Sequence, residues 1–125
     1  MARILLIDDD ATVRYALKQV LERAGHQVEE ATDGLAGVEK YTASRSDLVI
    51  TDIIMPNQEG IETIIKLRLL APDLAIIAMS GGGRTGNRDF LAMAEKLGAA
   101  KVMAKPFRPK ELVEAVAALL PKAAA

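Results

Sequence analysis

The residues of this sequence that could do chemistry stand directly after short apolar segments. Such segments are typical of buried strands, and the carboxyl ends of parallel strands meet at one edge of a sheet, where α/β proteins bind ligands. We therefore expect the side chains that follow these segments to lie close together. They are Asp8-Asp9-Asp10 after residues 4–7, Thr51-Asp52 after residues 48–50, Ser80 after residues 74–79 and Lys105 after residues 102–104.

Carboxylates that converge from two neighbouring segments favour a metal ion. They repel one another, and each negative charge makes the next carboxyl group harder to ionise. The candidate ligand atoms are oxygens, the chain has no Cys, and His26 is its only His, so a hard ion is favoured, Mg²⁺ before the transition metals. A cation, a carboxylate nucleophile and a lysine are the groups that phosphoryl transfer to an aspartate requires.

Each of these residues also has a simpler interpretation. The run Asp8-Asp9-Asp10 could cap a helix, and we expect at least one of the three to do so. Asp52 could form a turn, Ser80 could be an ordinary loop residue, and Lys105 could be a solvated surface lysine. We favour a shared site because four independent explanations would otherwise have to coincide at successive strand ends.

The elements that must position these residues follow from the hydrophobic pattern. The segment 27–31 alternates and is more polar than the other four apolar segments, which predicts an edge strand. Between the strands, apolar residues at three- and four-residue spacing predict helices. These helices cover about residues 13–24, 35–41, 61 to the break at Pro72, 90–97 and 112–120. Five β-then-α units imply a parallel sheet with helices on both faces.

Composition and charge exclude several classes of protein. The chain has 125 residues, which suits one domain, and without Cys it has neither disulfides nor thiolate metal sites. No apolar run approaches the length of a membrane span or a signal-peptide core, so we expect a cytoplasmic protein with no membrane partner. The net charge is −1 and no basic face stands out, which disfavours direct nucleic-acid binding.

With these residues in place, nearly the whole chain resembles the receiver domains of two-component response regulators. The resemblance rests on residues 4–10, on Asp52-Ile53-Ile54-Met55-Pro56 with Gly60 after it, on Ser80 and on Lys105-Pro106-Phe107. It implies a flavodoxin-like (βα)5 fold, a three-layer sandwich around a parallel five-stranded sheet of order 2-1-3-4-5, as in the chemotaxis receiver. Residues 1–125 would then form a single receiver domain.

The resemblance also implies a role for each candidate site residue. Asp52 matches the phosphoacceptor, Ser80 the hydroxyl that hydrogen-bonds the phosphoryl group, and Lys105 the lysine that pairs with it. Asp10 matches no ligand position. The Mg²⁺ ligands implied are Asp9 directly, Asp8 through a water molecule, Asp52, and the backbone carbonyl of Ile54.

The function implied is a phosphorylation-controlled switch. A sensor histidine kinase or histidine phosphotransfer protein would phosphorylate Asp52, and the phosphoryl group would change a protein-binding surface formed by the fourth predicted helix, the fifth strand and the fifth helix. Val102 stands where many members carry an aromatic switch residue, so we do not expect an aromatic ring to rotate there. The chain would promote only its own phosphorylation and dephosphorylation, so it is not expected to be an enzyme. Its downstream target would be a protein, and it would be a monomer or a phosphorylation-dependent dimer.

Other interpretations stay open. A stand-alone regulator is favoured by the ending Lys122-Ala123-Ala124-Ala125, but an excised input domain of a longer transcriptional regulator is the alternative. A metal-dependent aspartyl phosphatase is disfavoured, because such enzymes typically place a second Asp two residues after the nucleophile, where this chain has Ile54. A degenerate receiver that works without phosphate is disfavoured because every expected site residue is present.

Overall fold

The computed structural model describes residues 2–53, 59–80, 92, 95–104 and 108–120, in which strands and helices alternate. Among these residues no helix is both long and apolar enough to cross a membrane. The strands are β1 (Arg3–Ile7), β2 (Gln27–Ala31), β3 (Leu48–Asp52), β4 (Ala75–Ser80) and β5 (Lys101–Ala104). The helices are α1 (Ala11–Arg23), α2 (Gly34–Ala43), α3 (Glu59–Leu70) and α4 (Pro109–Leu119), of which α4 corresponds to the fifth helix predicted above.

The strands form one parallel sheet in the order β2-β1-β3-β4-β5. Register pairs Leu5 with Val49 across β1 and β3, and Asp52 with Met79 across β3 and β4. The order implied by the resemblance is therefore confirmed. The more polar β2 lies at the sheet edge, as its alternating pattern predicted.

Alternate residues of the central strands bury against helices on opposite faces of the sheet. Leu5 and Val49 belong to a cluster that contains Ile64 of α3, whereas Leu6 and Ile50 belong to a second cluster, which contains Leu112 of α4. Every residue of β3 is buried, which explains why residues 48–50 form a continuous apolar run that does not alternate. Each such aliphatic side chain contributes roughly 1.5–3 kcal/mol of burial free energy. The sheet therefore lies between two helical layers.

Helix ends follow the capping chemistry of the sequence. The Asp10 side chain caps α1 by accepting the backbone N–H of Thr12 at 2.9 Å, so the expectation that one of the three aspartates is a cap is confirmed. Gly25 follows the end of α1 with a φ of 97°, a conformation that glycine adopts without strain. The cap of α2 is Asp33, whose carboxylate accepts the N–H of Ala36 at 2.8 Å.

The predicted helix over residues 90–97 lies mostly outside the described residues, although Ala92, Glu95 and Lys96 are helical. The turn after it is tied to α3. The guanidinium of Arg68 donates to the carbonyl oxygens of Gly98 at 2.6 Å and Pro72 at 2.7 Å. This side chain thus holds the end of α3 against the segment that enters β5.

His26 introduces a pH dependence of stability at the edge of the sheet. Its Nδ1 accepts the backbone N–H of Ala2 at 3.3 Å, a bond that requires the neutral ring. Burial lowers the pKa of His26 below 6.5, and the positive charge of the amino terminus acts in the same direction. Between the lowered pKa and 6.5 the unfolded chain binds more protons, so the free energy of unfolding falls as the pH falls through this window.

We therefore expect wild type to lose more unfolding free energy than His26→Asn between about pH 7.5 and about pH 5.5. Urea unfolding of both proteins at the two pH values measures the difference, since the carboxyl groups titrate in both. An equal loss in the two proteins would exclude His26 as the source.

Candidate functional site

The acidic residues after β1 are held in different environments. Asp8 is fully buried, and its backbone N–H donates to the carbonyl of Ala31 at 3.2 Å, which extends the ladder with β2 by one residue. Its Oδ1 accepts the backbone N–H of Asp10 at 2.9 Å. Asp9 is exposed to solvent. The loop therefore presents one buried, oriented carboxylate and one that solvent can reach.

Asp52 ends the central strand and is almost completely buried, with 6% of its surface exposed. The ladder continues past it, because the N–H of Ile53 donates to the carbonyl of Met79 at 2.9 Å. The start of α3 packs directly on this backbone. A methyl group placed on Gly60 would overlap the Cα of Ile53 and the carbonyl oxygen of Asp52, so only glycine allows this approach.

The carboxylates of Asp8, Asp9 and Asp52 converge, with one oxygen from each lying within 4.8 Å of the others. Charges this close repel strongly when two of the groups are buried, and a cation relieves that repulsion. The donor set consists of carboxylate oxygens, which suits a hard divalent ion. The residues therefore fit a magnesium site, and the convergence predicted from strand ends is found for these three residues.

Ser80 ends β4, the next strand across the sheet. It is fully buried, and its Oγ finds no hydrogen-bond partner among the described residues. A buried hydroxyl left without any partner would cost about 1–3 kcal/mol. Because Asp52 pairs with Met79, Ser80 lies one position further along the neighbouring strand.

Two of the predicted site residues, Lys105 and Ile54, lie outside the described residues. Register pairs Ser80 with Ala104, the residue before Lys105 in the chain. The structure thus brings together Asp8, Asp9 and Asp52, and it places Ser80 at the end of the adjacent strand.

One residue at the site was not predicted from the sequence. Arg14 of α1 donates from Nη1 to the backbone carbonyl of Asp8 at 2.7 Å, and its Nε lies 3.3 Å from Oε1 of Glu30. Its side chain is only 14% exposed. The signal available in the sequence was an arginine one turn into the helix that follows the acidic run, which by itself does not distinguish it from a surface residue.

Comparison with known proteins agrees with the fold. The sequence model of the family described as "Response regulator receiver domain" matches residues 4–117. The chain is 38% identical over 115 residues to the chemotaxis protein CheY of Thermotoga maritima, covering 91% of this chain and 93% of that protein. It is 32% identical over 119 residues to sporulation initiation phosphotransferase F of Bacillus subtilis, covering 95% and 94%.

A solved structure has the same architecture. The response regulator receiver domain protein of Clostridium thermocellum superimposes with a TM-score of 0.87 at 30% identity, covering 95% of this chain and 94% of that chain. A parallel five-stranded sheet of this order, with acidic residues at the ends of β1 and β3, is typical of signalling domains that are controlled by phosphorylation. The chain belongs to the response regulator receiver domain family. Receiver domains are signalling domains that histidine kinases or phosphotransfer proteins phosphorylate.

Proposed function

We propose that residues 1–125 form a single receiver domain in which Asp52 accepts the phosphoryl group, with Mg²⁺ held by Asp8, Asp9, Asp52 and the carbonyl of Ile54. The observation that carries the proposal is the position of Asp52. It ends the central strand, between β1 with its acidic pair and β4 with the buried Ser80 hydroxyl, which has no hydrogen-bond partner among the described residues. Asp52 thus lies between the acidic residues of the proposed metal site, which follow β1, and the Ser80 hydroxyl at the end of β4.

In the proposed reaction, a carboxylate oxygen of Asp52 attacks phosphorus in line with the bond to the donor's histidine nitrogen. The P–N bond breaks, its electron pair stays on the imidazole, which takes up a proton, and an acyl phosphate forms on Asp52. When bound, Mg²⁺ supplies positive charge that offsets the charge of the phosphoryl oxygens. The Ser80 hydroxyl donates to one of these oxygens and Lys105 pairs with another. Water later hydrolyses the acyl phosphate and regenerates the carboxylate.

The output proposed is a change in the surface made by the predicted helix over residues 90–97, β5 and α4. Satisfying the buried Ser80 hydroxyl shifts the end of β4, and β5 pairs with β4 at the sheet edge through Ser80 and Ala104. Val102 of β5 packs against the cluster under α2 and α3, so an aliphatic side chain stands at the position of the usual aromatic switch. In this proposal, the phosphoryl group on Asp52 therefore acts on the binding surface through Ser80 and β4.

The partners proposed are a histidine kinase or phosphotransfer protein upstream and a protein target downstream, with the chain a monomer or a phosphorylation-dependent dimer. A stand-alone regulator in the cytoplasm, with no external substrate, remains part of the proposal. It is supported by two relatives of similar length, since the match covers 93% of the chemotaxis protein and 94% of the phosphotransferase. The second of these proteins is named a phosphotransferase, which supports transfer of the phosphoryl group to a further protein as one form of output.

Incubation with acetyl phosphate tests the proposal without a cognate kinase. We expect the intact-protein mass to increase by one phosphoryl group in the presence of Mg²⁺, and not when the metal is removed with a chelator. Beryllofluoride, which imitates the phosphoryl group, should bind under the same conditions. If neither an adduct nor beryllofluoride binding is found, the phosphate-independent receiver is the correct interpretation.

A further inference from the structure

Arg14 connects the acidic loop to the edge strand of the sheet. Its Nη1 donates to the backbone carbonyl of Asp8 at 2.7 Å, which is the short distance of a charge-assisted hydrogen bond. Its Nε donates to the Glu30 carboxylate at 3.3 Å. With 14% of its side chain exposed, Arg14 is more sheltered from solvent than a surface ion pair. The planar guanidinium therefore spans two acceptors on different elements.

The anchor of this bridge is Glu30, a residue of β2 that pairs with Leu6 of β1. Its carboxylate also meets Lys18 of α1, with Nζ 3.3 Å from Oε2. Its backbone carbonyl accepts a hydrogen bond from Lys40 of α2. Glu30 is thus held by the sheet and by two helices, and a guanidinium bound to it has a fixed position relative to β1.

We propose that Arg14 is a positioning residue for the metal site, an inference that rests on the proposed function above. The peptide between Asp8 and Asp9 has its carbonyl oxygen bound by Arg14. The preceding N–H of Asp8 is bound by the carbonyl of Ala31 at 3.2 Å, and the Asp8 carboxylate by the N–H of Asp10 at 2.9 Å. These bonds fix the backbone from which the Asp9 side chain extends. Its carboxylate, although exposed to solvent, is thereby kept close to those of Asp8 and Asp52. Groups that orient metal ligands in this way affect metal affinity without touching the ion.

The direction in which Mg²⁺ affinity changes when Arg14 is replaced distinguishes a positioning role from an effect of its charge. The guanidinium is a positive charge near a cation site, so by Coulomb's law alone its removal should strengthen Mg²⁺ binding. Loss of positioning should weaken Mg²⁺ binding. Arg14→Lys separates the two further, because lysine keeps the charge but lacks the planar fork that reaches two acceptors at once.

The test is isothermal titration of Mg²⁺ into wild type, Arg14→Gln, Arg14→Lys and the control Lys18→Gln. Lys18 shares the Glu30 carboxylate with Arg14, but among the described residues it donates to Glu30 and not to the acidic loop. We expect the Mg²⁺ dissociation constant to rise about tenfold in Arg14→Gln, to rise in Arg14→Lys as well, and to stay near the wild-type value in Lys18→Gln. Phosphorylation by acetyl phosphate should recover in both Arg14 variants at saturating Mg²⁺.

Urea midpoints measured beside the titrations separate positioning from general stability. If both Arg14 variants are less stable but bind Mg²⁺ as wild type does, or bind it more tightly, the positioning role is wrong while the proposed function stands. If wild type itself neither binds Mg²⁺ nor accepts a phosphoryl group, the proposed function is wrong and the inference is overturned with it. Should Arg14→Gln fail to fold, the dissociation constant of Arg14→Lys decides alone.

Discussion

Replacing Asp52 with Asn is expected to abolish phosphoryl incorporation while the protein stays folded. An amide has no anionic oxygen to attack phosphorus, so no acyl phosphate forms at this position. Asn has nearly the same shape, and Asp52 is 6% exposed at the end of a strand whose backbone bonds are unchanged. Without Mg²⁺ we therefore expect the urea midpoint to equal or exceed the wild-type value, because the change removes one of three carboxylates that repel one another. The protein should also lose much of its stabilisation by Mg²⁺, which for wild type is about 2.7 kcal/mol at a concentration about one hundred times the dissociation constant.

Asp10→Asn is the matched control for this experiment. Asp10 belongs to the same acidic run as Asp8 and Asp9, but its carboxylate caps α1. Asn is as good a cap as Asp, so this variant should keep its stability and its phosphorylation. Intact-protein mass after incubation with acetyl phosphate and Mg²⁺ measures both variants. Equal adducts in wild type and Asp52→Asn would show that another residue is the acceptor.

Replacing Gly60 with Ala is expected to destabilise the protein and to impair phosphorylation together. The added methyl group would overlap the backbone of Asp52 and Ile53, which cannot rotate away as a side chain can. Such overpacking costs about 1–3 kcal/mol. Alanine in a helix gains at most about 1 kcal/mol over glycine, so the clash should exceed the gain. Any relief of the clash moves the Asp52 carbonyl or the start of α3, and either movement disturbs the acceptor.

Gly37→Ala is the matched control, because Gly37 also lies close to a neighbouring strand but the atoms nearest to it belong to side chains and not to the backbone. The three atoms nearest to its added methyl group would all be side-chain atoms, Cδ1 and Cγ1 of Ile7 and, at 3.7 Å, Cβ of Ala31. A side chain can shift by a few tenths of an ångström more easily than the backbone of a central strand, so the loss of unfolding free energy should be smaller than in Gly60→Ala and the phosphorylation rate less affected. Urea unfolding and the rate of acetyl phosphate labelling measure both proteins. A Gly60→Ala protein with wild-type stability and rate would contradict the role of this contact.

Most of the sheet could be predicted because its strands are buried on both faces. Residues 4–7 and 48–50 read as continuous apolar runs, and the structure buries Ile4 and Leu5 on opposite sides of the sheet. The strand order itself was implied by the family resemblance, since an apolar run does not specify its neighbours. The bounds of α2 were predicted less well, as 35–41 against Gly34–Ala43, because few of its residues repeat at helical spacing.

The convergence of acidic residues could be predicted because strand ends have a known place in a parallel sheet. The roles of Arg14 and Gly60 could not be derived from periodicity. A polar residue on an amphipathic helix is normally exposed, and the bond from Arg14 to the Asp8 carbonyl depends on how α1 packs against β2. The close approach at Gly60 depends likewise on the angle at which α3 meets β3. Both are tertiary contacts between elements that the sequence predicts only one at a time.

The measurement that tests the central claim most directly is chemical location of the phosphoryl group. Borohydride reduces an acyl phosphate to a primary alcohol, so an aspartate that carried the phosphoryl group becomes homoserine. After labelling with acetyl phosphate and Mg²⁺, followed by reduction and proteolysis, peptide mass spectrometry should find homoserine at position 52. Homoserine at position 8 or 9 instead of 52 would contradict the assignment of Asp52 as the acceptor. So would the absence of homoserine from all three positions in a protein whose intact mass had increased.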